Sequence, residues 1–186
     1  MSNLENKLKK IVNTFNNIDK NLAYEDIKKL STKYHKNINV LNVLSQIAQK
    51  MGDVDTTINS LKKILLIDKS NIVCISKIYK LLLTKSLLDE ALANINLILR
   101  IDKDHYEAIR DKAYIYFLKN NFDKAKKYID NISKLEEKDF FAYNIKGLIY
   151  FKNSNFHEAK NYFEQAIKIN SKYVDSYNYL GICLLE

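Results

Sequence analysis

The chain has 186 residues, 47% of them hydrophobic and 28% charged, enough to bury a core and ordinary for a soluble protein. It has no proline, three glycines and no apolar run long enough for a bilayer, which argues against a strand-and-turn architecture and against a membrane span. The formal net charge of +8 is nearly all lysine, with arginine only at Arg100 and Arg110, so it reads as a solvated lysine surface rather than a nucleic-acid footprint.

Cys74 and Cys183 lie far apart and give no disulfide frame, which fits a reducing compartment. The first residues, MSNLENKLKKIVNTF, lack the apolar stretch of a signal peptide. A cytoplasmic protein is expected.

The chain repeats itself. Ala91, Ala125 and Ala159 are each 34 residues apart, in the frames LLDEALANINLIL, NFDKAKKYIDNIS and NFHEAKNYFEQAI. The same step backwards reaches Thr57 and then Ala23. Segment ends recur too, as LLIDKS, LRIDKD and IKINSK. Within a unit the apolar spacing is helical: Tyr143, Gly147, Tyr150 and Phe151, then Phe156, Ala159, Phe163, Ala166, Ile167 and Ile169. Asn153, Ser154 and Asn155 form a short polar turn between them, and Asn155 with Glu158 resembles a capping box. Each unit is predicted to be a helix, a tight turn and a second helix.

In chain order the units run 4–37, 38–71, 72–105, 106–139 and 140–173, with a half unit at 174–186. The first keeps little of the pattern beyond Ala23 and Ile27. The second carries Leu44, Ser45, Ala48 and Leu61. The third carries Leu82, Ala91 and Ile95, with bulky Tyr79 in a slot that is small elsewhere, which predicts splayed helices or a shifted contact. The fourth carries Ala113, Tyr116, Ala125 and Ile129. The fifth is fullest, with Tyr143, Gly147, Tyr150, Ala159, Phe163 and Ala166. Tyr177, Gly181 and Leu184 continue the register into a first helix without its second. The chain is expected to be a fragment of a longer array, or else the bare last helix is an interface for a second copy.

These residues resemble the tetratricopeptide repeat, over 38–186 well and over 4–37 weakly. The terminal proline of the family pattern is missing throughout. The resemblance implies an all-α fold, a right-handed superhelical α-solenoid of antiparallel helix pairs. The fold-defining positions are then Ala91, Ala125, Tyr143, Gly147, Tyr150, Ala159, Phe163, Ala166 and Gly181. It also implies that the first helices line a concave face through the second, fifth, sixth, ninth and twelfth positions of each unit. That face reads polar early (Asn39, Asn42, Gln46, Gln49), mixed in the middle (Lys77, Lys80, Leu83) and aromatic late. The late part is the expected peptide-binding set: Arg110, Tyr114, Phe117, Phe141, Asn144, Leu148, Phe151, Asn178 and Ile182. The Lys and Asn clamp by which one subtype holds a carboxyl terminus is not reproduced, and Asp111 would repel a carboxylate.

Nothing in the sequence supports catalysis. His35, His105 and His157 fall in different units without ligand spacing, Asn161 stands where a zinc-protease helix would need its second histidine, and no phosphate loop or nucleophile elbow is present. No metal or cofactor is expected, and the cysteines read as small buried hydrophobes. The expected role is a scaffold that binds a peptide or helical segment of a protein partner. The alternative is a regulatory array within a larger enzyme, such as a glycosyl- or sulfotransferase-like protein, presenting its substrate. Binding of RNA or acidic lipid by the basic surface ranks last, because helical placement scatters the lysines.

Overall fold

The structure, a computed structural model, describes residues 3–130, 132 and 139–185. It shows α1 (Asn3–Asn17), α2 (Lys20–Lys33), α3 (Ile38–Lys50), α4 (Val54–Ile67), α5 (Ile72–Thr84), α6 (Leu88–Ile101), α7 (Tyr106–Leu118), α8 (Phe122–Asp130), α9 (Phe140–Lys152), α10 (Phe156–Ile169) and α11 (Val174–Cys183), with no strand among the described residues. The chain divides into two compact units, Met1–Asn94 and Ile95–Glu186, the boundary falling within α6.

The helices end and begin where backbone chemistry dictates. At the close of α3, the Gly52 N–H donates to the Gln49 carbonyl (3.1 Å) and the Asp53 N–H to the Ala48 carbonyl (2.9 Å). That pair of bonds is a Schellman motif, and it needs a left-handed residue, here Gly52 at φ 78°. The motif recurs after α5, α7 and α9, where Leu87, Asn121 and Asn155 donate to the carbonyls of Leu82, Tyr116 and Tyr150. The left-handed position there falls on Ser86, Asn120 and Ser154, all at φ 57°. A side chain in that conformation costs about 1–2 kcal/mol, a strain glycine escapes.

The residue after the left-handed one then starts the next helix. The side chains of Asp53, Asn121 and Asn155 accept from the N–H groups of Thr56, Lys124 and Glu158. First helices are capped in the same way by Asn37, Asn71, His105 and Asp139. Each such cap contributes about 1 kcal/mol.

In the first unit α1 through α5 contact one another in succession. Leu8, Ile11, Phe15, Ala23, Ile27, Val40, Leu44 and Ile47 form a core shared by α1, α2 and α3. The Tyr24 hydroxyl donates to Asp53 Oδ2 (2.6 Å), so the cap of α4 also anchors α2. Tyr79, in the slot expected to be small, is fully buried.

In the second unit α7 contacts α8 and α9, and α9 contacts α10 and α11. Ala113, Ala125, Ile129, Ile132, Ile145 and Ile149 form one core cluster, and Leu148, Ala159, Phe163 and Cys183 another. Ala91, Ala125, Gly147, Ala159, Phe163 and Ala166 are buried, while Tyr143 and Tyr150 are half-buried. The close approach of α9 and α10 has a visible cause: a Cβ on Gly147 would lie 2.6–2.9 Å from three atoms of the Phe163 ring. Only a residue without a side chain leaves room there. Gly181, expected to do the same on α11, is exposed, and a Cβ there would meet nothing within 4 Å.

Gly147→Ala should therefore lower the unfolding free energy by about 1–3 kcal/mol in urea titrations, and Phe163→Leu in the same chain should recover part of that loss. Ser154→Gly should act in the opposite direction, raising stability by about 0.5–1 kcal/mol by removing the left-handed strain.

Candidate functional site

The late first-helix residues were expected to share one face, and the structure brings most of them together on α7, α9 and α11. The rings of Tyr114 and Phe141 meet edge to face at 5.2 Å. Phe117 meets Phe122 of α8 at 5.7 Å and, like Phe151, packs against the cluster of Leu148, Ala159, Phe163 and Cys183. Phe151 meets Tyr179 edge to face at 5.3 Å, and Tyr179 stacks on Phe163 at 5.6 Å. Such pairs contribute about 0.5–1.5 kcal/mol beyond the area they bury, so the row is a stiff wall. Tyr114, Phe117, Phe141 and Phe151 are each half-buried, with one side in the wall and the rest open. Asn178 and Ile182 are exposed on α11.

Two of the nine expected residues offer no surface. Asn144 is 2% exposed and accepts a hydrogen bond from the Ser176 hydroxyl (2.9 Å), tying α9 to α11. Leu148 is buried in the second core cluster. Both positions pointed outward in the expected register. The next first helix covers them, so their role is to join helices.

Arg110 is present on this face but committed. Its Nε donates to Asp111 Oδ1 (2.8 Å) and its Nη1 to Asp139 Oδ2 (2.7 Å), and its guanidinium lies over the Phe141 ring at 5.2 Å. Burial works against the charged form, but the hydrogen bonds and charges of the two aspartates outweigh it and raise the Arg110 pKa above its ordinary value. Asp139 shows the converse. Burial alone would raise its pKa, yet the Arg110 hydrogen bond and the Ala142 N–H hold the carboxyl below its ordinary 3.8. Asp139 thus caps α9 and fixes Arg110 at once, and no short-range sequence signal marks it.

Tyr179 and Tyr173 were not anticipated. Tyr173 packs on Phe140 at 5.0 Å, and burial, followed by the nearby Asp175, pushes its hydroxyl pKa up to about 12. The Tyr114 hydroxyl is likewise raised, by burial first and then by Asp175. Both stay protonated at neutral pH and present O–H donors beside an exposed carboxylate. The face is therefore aromatic, with hydroxyl donors and an internally neutralised cation.

Elsewhere in this unit four lysines are seated on rings. Lys112 lies over Tyr128 (4.5 Å), Lys124 over Tyr116 (5.4 Å), Lys126 over Tyr150 (5.2 Å) and Lys146 over Tyr162 (5.3 Å). Cys74 and Cys183 are both buried, and burial raises both thiol pKa values, which disfavours the reactive thiolate. Among the described residues no cluster of His, Cys, Asp or Glu could hold a metal ion, and no helix is long and apolar enough to cross a membrane.

Residues 140–173 match the family model of the tetratricopeptide repeat. No curated protein matches the chain. Among solved structures it is similar to a tetratricopeptide repeat protein from Parabacteroides merdae, with TM-score 0.80 and 20% identity over 97% of this chain and 72% of that one. It is similar to MamA, with TM-score 0.71 and 20% identity over 94% of this chain and 98% of that one. It is also similar to YrrB, described as a TPR protein with an unusual peptide-binding site, with TM-score 0.64 and 14% identity over 84% and 81%. At these identities the likeness is one of fold.

The Arg110 cluster makes a pH prediction. Asp139 has a depressed folded pKa, so its contribution is complete above its ordinary 3.8 and disappears as pH falls through the lower folded value. Asp139→Asn should flatten that acid limb of a stability-versus-pH curve. Arg110→Ala, which removes the positive charge facing two largely buried carboxylates, should cost about 3–5 kcal/mol at neutral pH in chemical denaturation.

Proposed function

We propose that this chain, a tetratricopeptide-repeat protein, holds a segment of a protein partner against the α7–α9–α11 wall. The fold supports a protein–protein interaction scaffold in general terms. The observation that supports the finer reading is the set of half-open rings Tyr114, Phe117, Phe141 and Phe151, all borne on the first helices α7 and α9. Large rigid rings provide binding area at low entropic cost, and a wall that is already braced does not have to order itself on binding. Asn178 and the Tyr114 hydroxyl supply hydrogen-bonding groups beside that area. With Arg110 occupied by Asp111 and Asp139, the wall has no free guanidinium for a carboxylate.

A photoreactive phenylalanine placed at Ile182, exposed on α11, should form protein adducts, and the same group at Gln165, exposed on α10, should form few. Ile182→Asp should then weaken the captured partner about tenfold, or about 1.4 kcal/mol, with an unchanged unfolding midpoint. Equal adducts from both positions, or undiminished binding by the variant, would overturn the reading.

A further inference from the structure

The helix pair α1–α2 encloses a cleft of about 330 Å³, at the small end of ligand-site volumes. Two matching stripes line it. Lys7, Lys10, Ile11 and Thr14 lie on α1, and Asp26, Lys29, Leu30 and Lys33 on α2. Both sets have the spacing i, i+3, i+4, i+7, which places each on one face of its helix. Ile11 is buried and Leu30 half-buried, so the floor is apolar, while all four lysines on the two rims are exposed.

The charge of this pair is lopsided. Residues 1–37 carry eight lysines against Glu5, Asp19, Glu25 and Asp26, a net +4 and half of the chain's +8. Asp19 is used as the cap of α2, and Glu25 pairs with Lys28 at 2.6 Å. Asp26 is thus the single carboxylate against four lysines in the cleft. None of those lysines has a carboxylate within ion-pair distance among the described residues. Only Lys33 lies over a ring, that of Tyr34 at 5.7 Å. Lys28, which does not line the cleft, lies over Tyr24 at 4.6 Å, and Lys112, Lys124, Lys126 and Lys146 of the other unit also rest on tyrosines. Like charges one helical turn apart oppose each other, so the free cleft holds repulsion that an anionic occupant relieves.

We infer that this cleft is a second binding site, independent of the aromatic wall, for an acidic amphipathic peptide segment. Its apolar side chains enter between Ile11 and Leu30, and its Glu or Asp residues reach Lys7 and Lys10 on one rim and Lys29 and Lys33 on the other. Charge complementarity selects the acidic partner. The apolar floor is recessed below the lysines, the reverse of an interfacial membrane helix, whose apolar face must project into the bilayer. The rims hold lysine and no arginine, which disfavours the bidentate reading of nucleic-acid bases.

The test titrates the full chain with a synthetic helix bearing leucine on one face and glutamate on both flanks, and follows amide and methyl shifts by NMR. Shifts confined to the residues lining the cleft, with affinity falling about tenfold or more between low and high salt, are the expected result. Charge reversal of Lys7, Lys10, Lys29 and Lys33 should abolish binding while leaving the circular dichroism unchanged. Ile182→Asp should leave it intact, which separates this site from the wall. The inference is overturned if a glutamate peptide without leucine binds equally well, if the shifts fall elsewhere, or if phosphatidylserine vesicles or single-stranded RNA engage the same lysines more tightly.

Discussion

The seat of Phe163 against Gly147 governs the second unit. One face of the ring occupies the space a Cβ at Gly147 would take, and Tyr179 stacks on it at 5.6 Å. Tyr179 in turn meets Phe151, a member of the open wall, at 5.3 Å. A contact deep between α9 and α10 therefore fixes where rings on the surface stand. In a close-packed interior a displacement of that ring is transmitted to its neighbours rather than absorbed. The hydrogen bond from Ser176 to Asn144 holds α11 to α9 from another direction. The wall is thus braced from behind by packing and sideways by a buried polar bond.

The turns do a different job. At three of the four turns a Schellman closure is followed at once by a side-chain cap, which serves both helix ends within a few residues. Three of the four left-handed positions hold serine or asparagine, so the chain tolerates about 1–2 kcal/mol of strain at each rather than lose the geometry. The cost is offset by burial on either side of the turn. Repeated small costs of this kind suit a repeat protein, in which each turn answers chiefly to its own pair of helices.

The all-α repeat was legible because both of its signals are local. Apolar spacing of three and four residues and the recurrence of Ala91, Ala125 and Ala159 need no tertiary information. The Asn155 cap was legible for the same reason: the side chain that accepts and the N–H that donates are three residues apart. The candidate site was less so. Arg110 was expected on the binding face, and its commitment was hidden because its partner Asp139 is 29 residues away and reads as an ordinary helix cap. Asn144 and Leu148 stand at outward positions of the ideal repeat, yet each is covered by a neighbouring first helix, which depends on how helices stack rather than on their period. Gly181 shows the same limit in reverse. It shares the register of Gly147, but its notch lies open. A small residue permits close approach; only an opposing side chain turns that permission into contact.

The two surfaces follow from how each unit disposes of its charge. In the second unit Arg110 is neutralised by two aspartates, and Lys146 lies 3.6 Å from Asp130 and over the Tyr162 ring. The half-open rings of the wall are aromatic, and the binding proposed for them would work through shape and buried area. In α1–α2 the carboxylates are drawn off to a cap and to a local pair, and the cleft keeps its lysines unanswered. Recognition there depends on charge and weakens with salt, whereas the wall should be nearly salt-independent, since screening acts on exposed charges and hardly on apolar contact. Ionic strength is therefore the variable that separates the two sites without any mutation.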